Sequence, residues 1–205
     1  TVAIIVAHPD DETLWAGGTI LLHPSWKCHV VCLCRGCDTE RAPRFYKAMK
    51  ALKSEGIMGD LDDGPDQIPL DNAEVERAIL RLLPKKHYDI VMSHDPAGEY
   101  TSHLRHKEIS KAVITLWRSG NISAEELRTF AYEDGNKAYL PQPIKLATLY
   151  NVLPDNILRK KQNIIKRIFG FKNDSWEAKT TPVAESFWQF TNTADAMRWL
   201  NKGNI

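Results

Sequence analysis

Residues 2–7 (VAIIVA) form an unbroken apolar, largely β-branched run, the signature of a strand buried on both faces. Residues 11–22 then carry Leu14, Trp15, Gly18, Leu21 and Leu22 at helical spacing, stopping before Pro24. A second buried strand is expected at 30–33. A helix is expected over 41–54, with Phe45, Met49 and Leu52 inward and its stop at Gly56. The pattern continues with a helix over 75–83 closed by Pro84, a strand over 88–93, and a helix over 104–117 with Ile109, Val113 and Leu116 on one face. Past Gly120 it loosens into a strand over 146–152 and an amphipathic helix over 156–169. Strands alternating with helices predict an α/β fold: a Rossmann-like, three-layer αβα arrangement with a mainly parallel sheet and right-handed crossovers. No repeat or low-complexity linker divides the chain, so residues 1–205 read as a single domain.

Composition narrows the function. The chain has 205 residues, 43% of them hydrophobic, enough for a substantial core. Its 27 basic and 26 acidic residues give a net charge of +1, which excludes charge-driven nucleic-acid binding. No apolar run approaches the ~18 residues of a membrane span. The first residues turn acidic at once and lack a basic leader region, so a cytoplasmic protein is expected. Cys28, Cys32, Cys34 and Cys37 crowd into one stretch with a single Cys-x-x-Cys. That is neither a disulfide framework nor an all-cysteine zinc site, and reduced, buried cysteines are expected.

Two charge blocks call for a reading. Between Glu55 and Glu76 lie eight acids and no Lys or Arg. The run is one residue short of the calcium-loop pattern, and reads as a solvated loop feeding a helix, with one or two carboxylates lining a pocket. Arg159, Lys160, Lys161, Lys166, Arg167 and Lys172 alternate with isoleucines, as on a helix packing one face on the core and solvating the other. An anionic membrane surface is the competing reading.

The chemistry concentrates in Ala7-His8-Pro9-Asp10-Asp11-Glu12, between the first strand and the first helix. Ligands bind α/β sheets outside the carboxyl ends of the strands, so this turn lies where a site is expected. A histidine and three acids there offer donors for zinc or a similar divalent ion. Helix capping explains one of the acids, but not the histidine. A second group, Gly98-Glu99-Tyr100-Thr101-Ser102-His103-Leu104-Arg105-His106, follows the strand over 88–93. His103 and His106 are three apart, so both can face one site at a helix start. One of them with His8 and Asp11 completes a three-ligand site with an open position, the arrangement of a catalytic zinc.

These two motifs resemble those of the LmbE-like, or PIG-L, zinc-dependent N-acetylglucosaminyl deacetylases, and the resemblance covers roughly the first 120 residues. The resemblance implies His8, Asp11 and His106 as metal ligands, Asp10 as general base and His103 as oxyanion stabiliser. It implies Arg44 as a substrate-binding arginine, with Arg41 its rival, and Asp63 as a sugar contact, with Asp62 its rival. The implied cofactor is Zn²⁺, or another divalent ion such as Fe²⁺. The implied substrate is a small N-acetylated sugar conjugate, and a homo-oligomer is compatible with the family. Leu104-Arg105 stands where the family has Pro-Asp, whose acid can orient the first histidine, and the loop from Tyr100 to His103 is one residue longer. Arg105 is expected either to point outward on its helix or to lie beside His103 and disfavour its charged form.

Three other readings compete. A nucleotide-binding Rossmann protein needs a glycine-rich first turn, and acids there repel a pyrophosphate. A catalytically inactive metal- or sugar-binding relative would keep the ligands without the reaction. A metal-dependent hydrolase of another small amide would share both fold and site.

Overall fold

A computed structural model describes residues 1–100 and 103–202. In chain order they form β1 (Val2–Val6), α1 (Asp11–Leu22), β2 (Cys28–Cys34), α2 (Arg41–Leu52), β3 (Glu55–Leu61), α3 (Asn72–Leu82), β4 (His87–Ser93) and α4 (Leu104–Arg118). There follow β5 (Ser123–Phe130), the short strands β6 (Tyr132–Glu133) and β7 (Gln142–Pro143), β8 (Leu149–Val152), α5 (Asp155–Asn163), α6 (Trp176–Thr180), β9 (Ala184–Phe190) and α7 (Thr193–Lys202). The main sheet runs β3-β2-β1-β4-β5-β9-β8. Its first five strands are parallel, and β9 and β8 each pair antiparallel with the preceding strand in that order. The order reverses between β1 and β4, which opens a crevice at their carboxyl ends.

Alternation along β1 builds both cores. Ala3 and Ile5 pack with α3, α4 and α7, while Val2, Ile4 and Val6 pack with α1 and α2. Helices on both faces give the three layers that the strand–helix alternation predicts. No helix among the described residues is long and apolar enough to cross a membrane.

Several local expectations need correcting. Glu55–Leu61 is an edge strand, not loop, with His29 to Cys32 of β2 as its partners; its carboxylates only begin to form a loop at Asp62. The α3 helix starts at Asn72 because the Asp71 side chain accepts from the Ala73 N–H. The α2 helix ends at Leu52, where Lys53 turns left-handed (φ 53°). The basic helix breaks into α5 and a π-helical turn, Ile164–Ile168. Ile157, Ile164 and Ile165 pack inward as expected, but so does Lys161, fully buried against Glu185 at 2.7 Å. Of the free cysteines Cys28, Cys32 and Cys34 are buried, whereas Cys37 is exposed.

Asp95, just beyond β4, ties the C-terminal helix to the sheet. Its Oδ2 accepts from Thr129 Oγ1 at 2.8 Å and from Trp199 Nε1 at 2.9 Å. Burial nevertheless pushes its carboxyl up to about 6 from the ordinary 3.8. Between those values the folded chain keeps a proton that the unfolded chain has released, so the contribution of Asp95 to stability falls as pH rises through that window. From about pH 4 to about pH 7 the wild type should lose up to ~3 kcal/mol relative to Asp95→Asn, at ~1.4 kcal/mol per pKa unit. Denaturant unfolding of both proteins across that range checks this; parallel curves would refute it.

Candidate metal centre

Two strand ends supply the centre. β1 delivers His8, Asp10 and Asp11 through the turn into α1, and β4 with the start of α4 delivers His94, His103 and His106. Asp10 caps α1 in position only: its side chain makes no capping hydrogen bond, and its φ of 140° is one that L-residues rarely adopt. Buried strain of this kind clusters at functional sites. The capping explanation of these acids therefore fails for Asp10, and its carboxyl lines the cavity instead.

Three donor atoms form a near-equilateral triangle. His8 Nδ1 lies 3.2 Å from Asp11 Oδ2, His106 Nε2 lies 3.3 Å from His8 Nδ1, and His106 Nε2 lies 3.4 Å from Asp11 Oδ2. Tetrahedral ligands at ~2.0–2.1 Å from a zinc ion stand ~3.3 Å apart. The residues present thus fit a divalent ion. Each imidazole is also held from behind by a carboxylate. His106 Nδ1 contacts Glu99 Oε2 at 2.5 Å, and His8 Nε2 faces Asp63 Oδ1 at 3.3 Å. A carboxylate on the far nitrogen sets the tautomer that leaves the near nitrogen free to ligate.

His94 competes for the same position. Groupings of Asp11, His94 and His106, and of His8, His103 and His106, each bring their donor atoms close enough for an ion. The Nε2 of His94, however, accepts from the Ala7 N–H at 2.9 Å, while its Nδ1 lies 3.0 Å from Glu99 Oε2. Its free lone pair is thereby used, and its ring stacks on His106 at 3.8 Å between centroids. His94 supports the centre rather than joining the triangle.

The electrostatics favour a cation. Against the burial that would lower it, the carboxylates of Asp11 and Glu99 hold His106 up to about 10. Despite its own burial, Asp11 is kept well below the usual carboxylate range by His106 and His8. A pocket that grips a proton between carboxylates grips other cations by the same field. Asp10 goes the other way: burial and the neighbouring Asp11 charge push it well up. Burial, His106 and His8 pull His103 down to about 4, and its buried Nδ1 has no hydrogen-bond partner among the described residues.

The cavity over the triangle has a volume of about 280 Å³. His8, Asp10, Asp11, Asp63 and His103 line it, as does Arg41. Arg44 does not: its Nη1 donates to the Phe169 carbonyl at 2.6 Å, and it lines a neighbouring depression. Asp63 is engaged by Arg35 Nε at 2.9 Å and Nη2 at 2.7 Å and by Gln67 Nε2 at 3.1 Å, whereas the Asp62 side chain is largely exposed. Arg105 follows neither expectation. It is fully buried, and its guanidinium reaches the carbonyls of Asp62 and Ile68 and the Glu108 carboxylate, not His103. Thr101 and Ser102, in the loop longer than the family form, lie outside the described residues.

Sequence reasoning missed His94, Glu99, Arg35, Trp176 and Glu177. His94-Asp95-Pro96 follows β4 much as Ala7-His8-Pro9-Asp10 follows β1, so a strand-end histidine was the available signal for His94. Trp176 and Glu177 reach the cavity from α6, with Trp176 edge-on to Tyr100 at 4.8 Å. Nothing local in the sequence marks them.

Comparison with known proteins places the chain in a family. An uncharacterised protein, L374, of Acanthamoeba polyphaga mimivirus is 28% identical over 180 residues, covering 80% of this chain and 76% of that protein. The fold matches an N,N'-diacetylchitobiose deacetylase from Pyrococcus horikoshii at a TM-score of 0.67, with 17% identity over 93% of this chain and 83% of the other. It also matches GalB, the 4-carboxy-2-hydroxymuconate hydratase from Pseudomonas putida, at a TM-score of 0.63, with 17% identity over 94% and 97% of the two chains. At such identities the likeness is one of fold alone. The model of one family, described as PIG-L, GlcNAc-PI de-N-acetylase, matches residues 3–117. That segment is more than half of the chain and spans both strand-end motifs, and the chain accordingly belongs to the PIG-L family.

Proposed function

We propose that the protein is a metal-dependent deacetylase, with zinc as its ion, that removes the acetyl group from an N-acetylglucosamine-type conjugate. The observation that carries this reading is the donor triangle of His8, Asp11 and His106 with the non-ligating carboxyl of Asp10 in the same cavity. A zinc ion bound there would polarise the amide carbonyl and lower the pKa of its water. Asp10 takes the proton of the attacking water and returns it to the departing amine. Its raised affinity for a proton suits both transfers. His103, neutral near pH 7, offers an N–H to the developing oxyanion. Asp11 and His8 hold their positions through the α1 turn, and Glu99 fixes the ring of His106. The products are acetate and a free amine.

Arg41, rather than Arg44, is the arginine we assign to substrate, because it shares the cavity with Asp10. A volume near the lower end of the ~300–1,000 Å³ typical of ligand pockets suits a single sugar ring, with the rest of the conjugate outside. The hydratase of the same fold supports a second reading, in which water is added to a carbon–carbon double bond instead of to an amide.

Mass spectrometry of zinc-loaded protein with N-acetylglucosamine conjugates tests the proposal. Loss of one acetyl group is the expected result. Zinc uptake without deacetylation of any such conjugate would overturn the substrate assignment, and gain of one water by an unsaturated acid would favour hydration.

A further inference from the structure

The residue that breaks the family motif is buried and fully engaged. Arg105 lies in the first turn of α4, and its Nε donates to the Asp62 carbonyl at 2.5 Å while its Nη2 donates to the Ile68 carbonyl at 2.7 Å. Its Nη1 is anchored on Glu108 Oε2 at 2.6 Å, one helical turn on. Glu108 in turn accepts from the Leu70 N–H at 2.8 Å through its other oxygen. The first turns of α4 thus grip the segment between β3 and α3 at three backbone points. That segment has no strand partner among the described residues, and it carries exposed Ile68 and left-handed Gln67 (φ 46°). It also carries Asp63, whose Oδ1 faces His8 Nε2 at 3.3 Å.

We propose that Arg105 is a positioning residue of the metal centre: by holding the carbonyls of Asp62 and Ile68 it places the Asp63 carboxylate behind His8. The arginine fork suits this task, since its planar donors reach two carbonyls and a carboxylate together, which a lysine ammonium on a single stem does not. The acid implied by the family motif at this point would act on the neighbouring His103. Here the same helix position acts on the other ligand loop, through Asp63. The proposal rests on the metal reading above.

The test is zinc affinity, measured by competition with a chromophoric chelator, in wild type, Arg105→Lys, Arg105→Met, Asp63→Ala and the two double variants. Loss of a partner behind a ligating histidine typically weakens metal binding by roughly 10- to 100-fold. Both Arg105 variants should fall in that range. In the Asp63→Ala background the same substitutions should change affinity by less than about twofold, because coupled residues do not add. A merely structural role would lower affinity or stability equally in both backgrounds. If Arg105→Met does not fold, Arg105→Lys, which keeps a charge beside Glu108, carries the comparison. Undiminished affinity in the folded Arg105 variants, or a full loss that persists without Asp63, overturns the proposal. A wild type that takes up no zinc overturns the metal reading itself.

Discussion

Asp10→Asn is expected to keep its metal and to lose between roughly 100- and 10,000-fold in turnover, the usual contribution of a positioned general base. The amide has the shape of the carboxyl but cannot take a proton from water. Asp10 is buried, makes no capping hydrogen bond with its side chain, and is pushed well up by burial and Asp11. Asp11, one residue on, faces His8 and His106 in the triangle. The substitution should therefore separate the two roles: zinc content near one ion per chain, substrate binding little changed, and turnover collapsed. Metal analysis alongside kcat and KM gives the answer. Near-normal turnover at full metal content would move the base elsewhere, whereas loss of metal would make Asp10 a ligand.

The largest effect on stability is expected at the buried pair between α5 and β9. Glu185 accepts from Lys161 Nζ, from the backbone N–H groups of Gly18 and Thr19, and from Thr19 Oγ1, all at 2.6–2.7 Å. Breaking a buried ion pair costs about 3–5 kcal/mol because one charge is left uncompensated. The two halves should not cost the same. Lys161→Met leaves a carboxylate that still accepts three hydrogen bonds, and belongs near the low end. Glu185→Leu strands a buried ammonium and three donors at once, and belongs at or above the high end. Urea unfolding at neutral pH ranks them; equal costs, or the reverse order, would contradict the account.

What could be read from the sequence was local. The β1 run, the turn into α1 and the spacing of His103 and His106 each announce themselves within a dozen residues; strand–helix alternation predicts the parallel sheet, while the choice of His106 over His103 comes from the family resemblance and not from spacing. What could not be read depended on partners far along the chain. β5 carries Glu125, Glu126 and Arg128 and buries mainly its last residues, so its alternation is masked. Lys161 sits in a basic block, and only Glu185, on a strand across the layer, explains its burial. Arg105 looks like an ordinary surface arginine until the Asp62–Leu70 segment is folded over it. Arg44 and Arg41 lie one helical turn apart, and it is the distant Phe169 carbonyl that engages Arg44 while Arg41 lines the cavity.

The cavity wall built by Trp176 and Glu177 lies outside the segment, residues 3–117, that the family model matches. On the proposed reading, the residues of the reaction and part of the wall that would face a substrate therefore come from separate stretches of the chain. The turn after β1 and the start of α4 can stay fixed while a five-residue helix, α6, is exchanged beside them. If that wall meets the substrate, exchanging this one short helix would change which conjugate fits while leaving the donor triangle where it is.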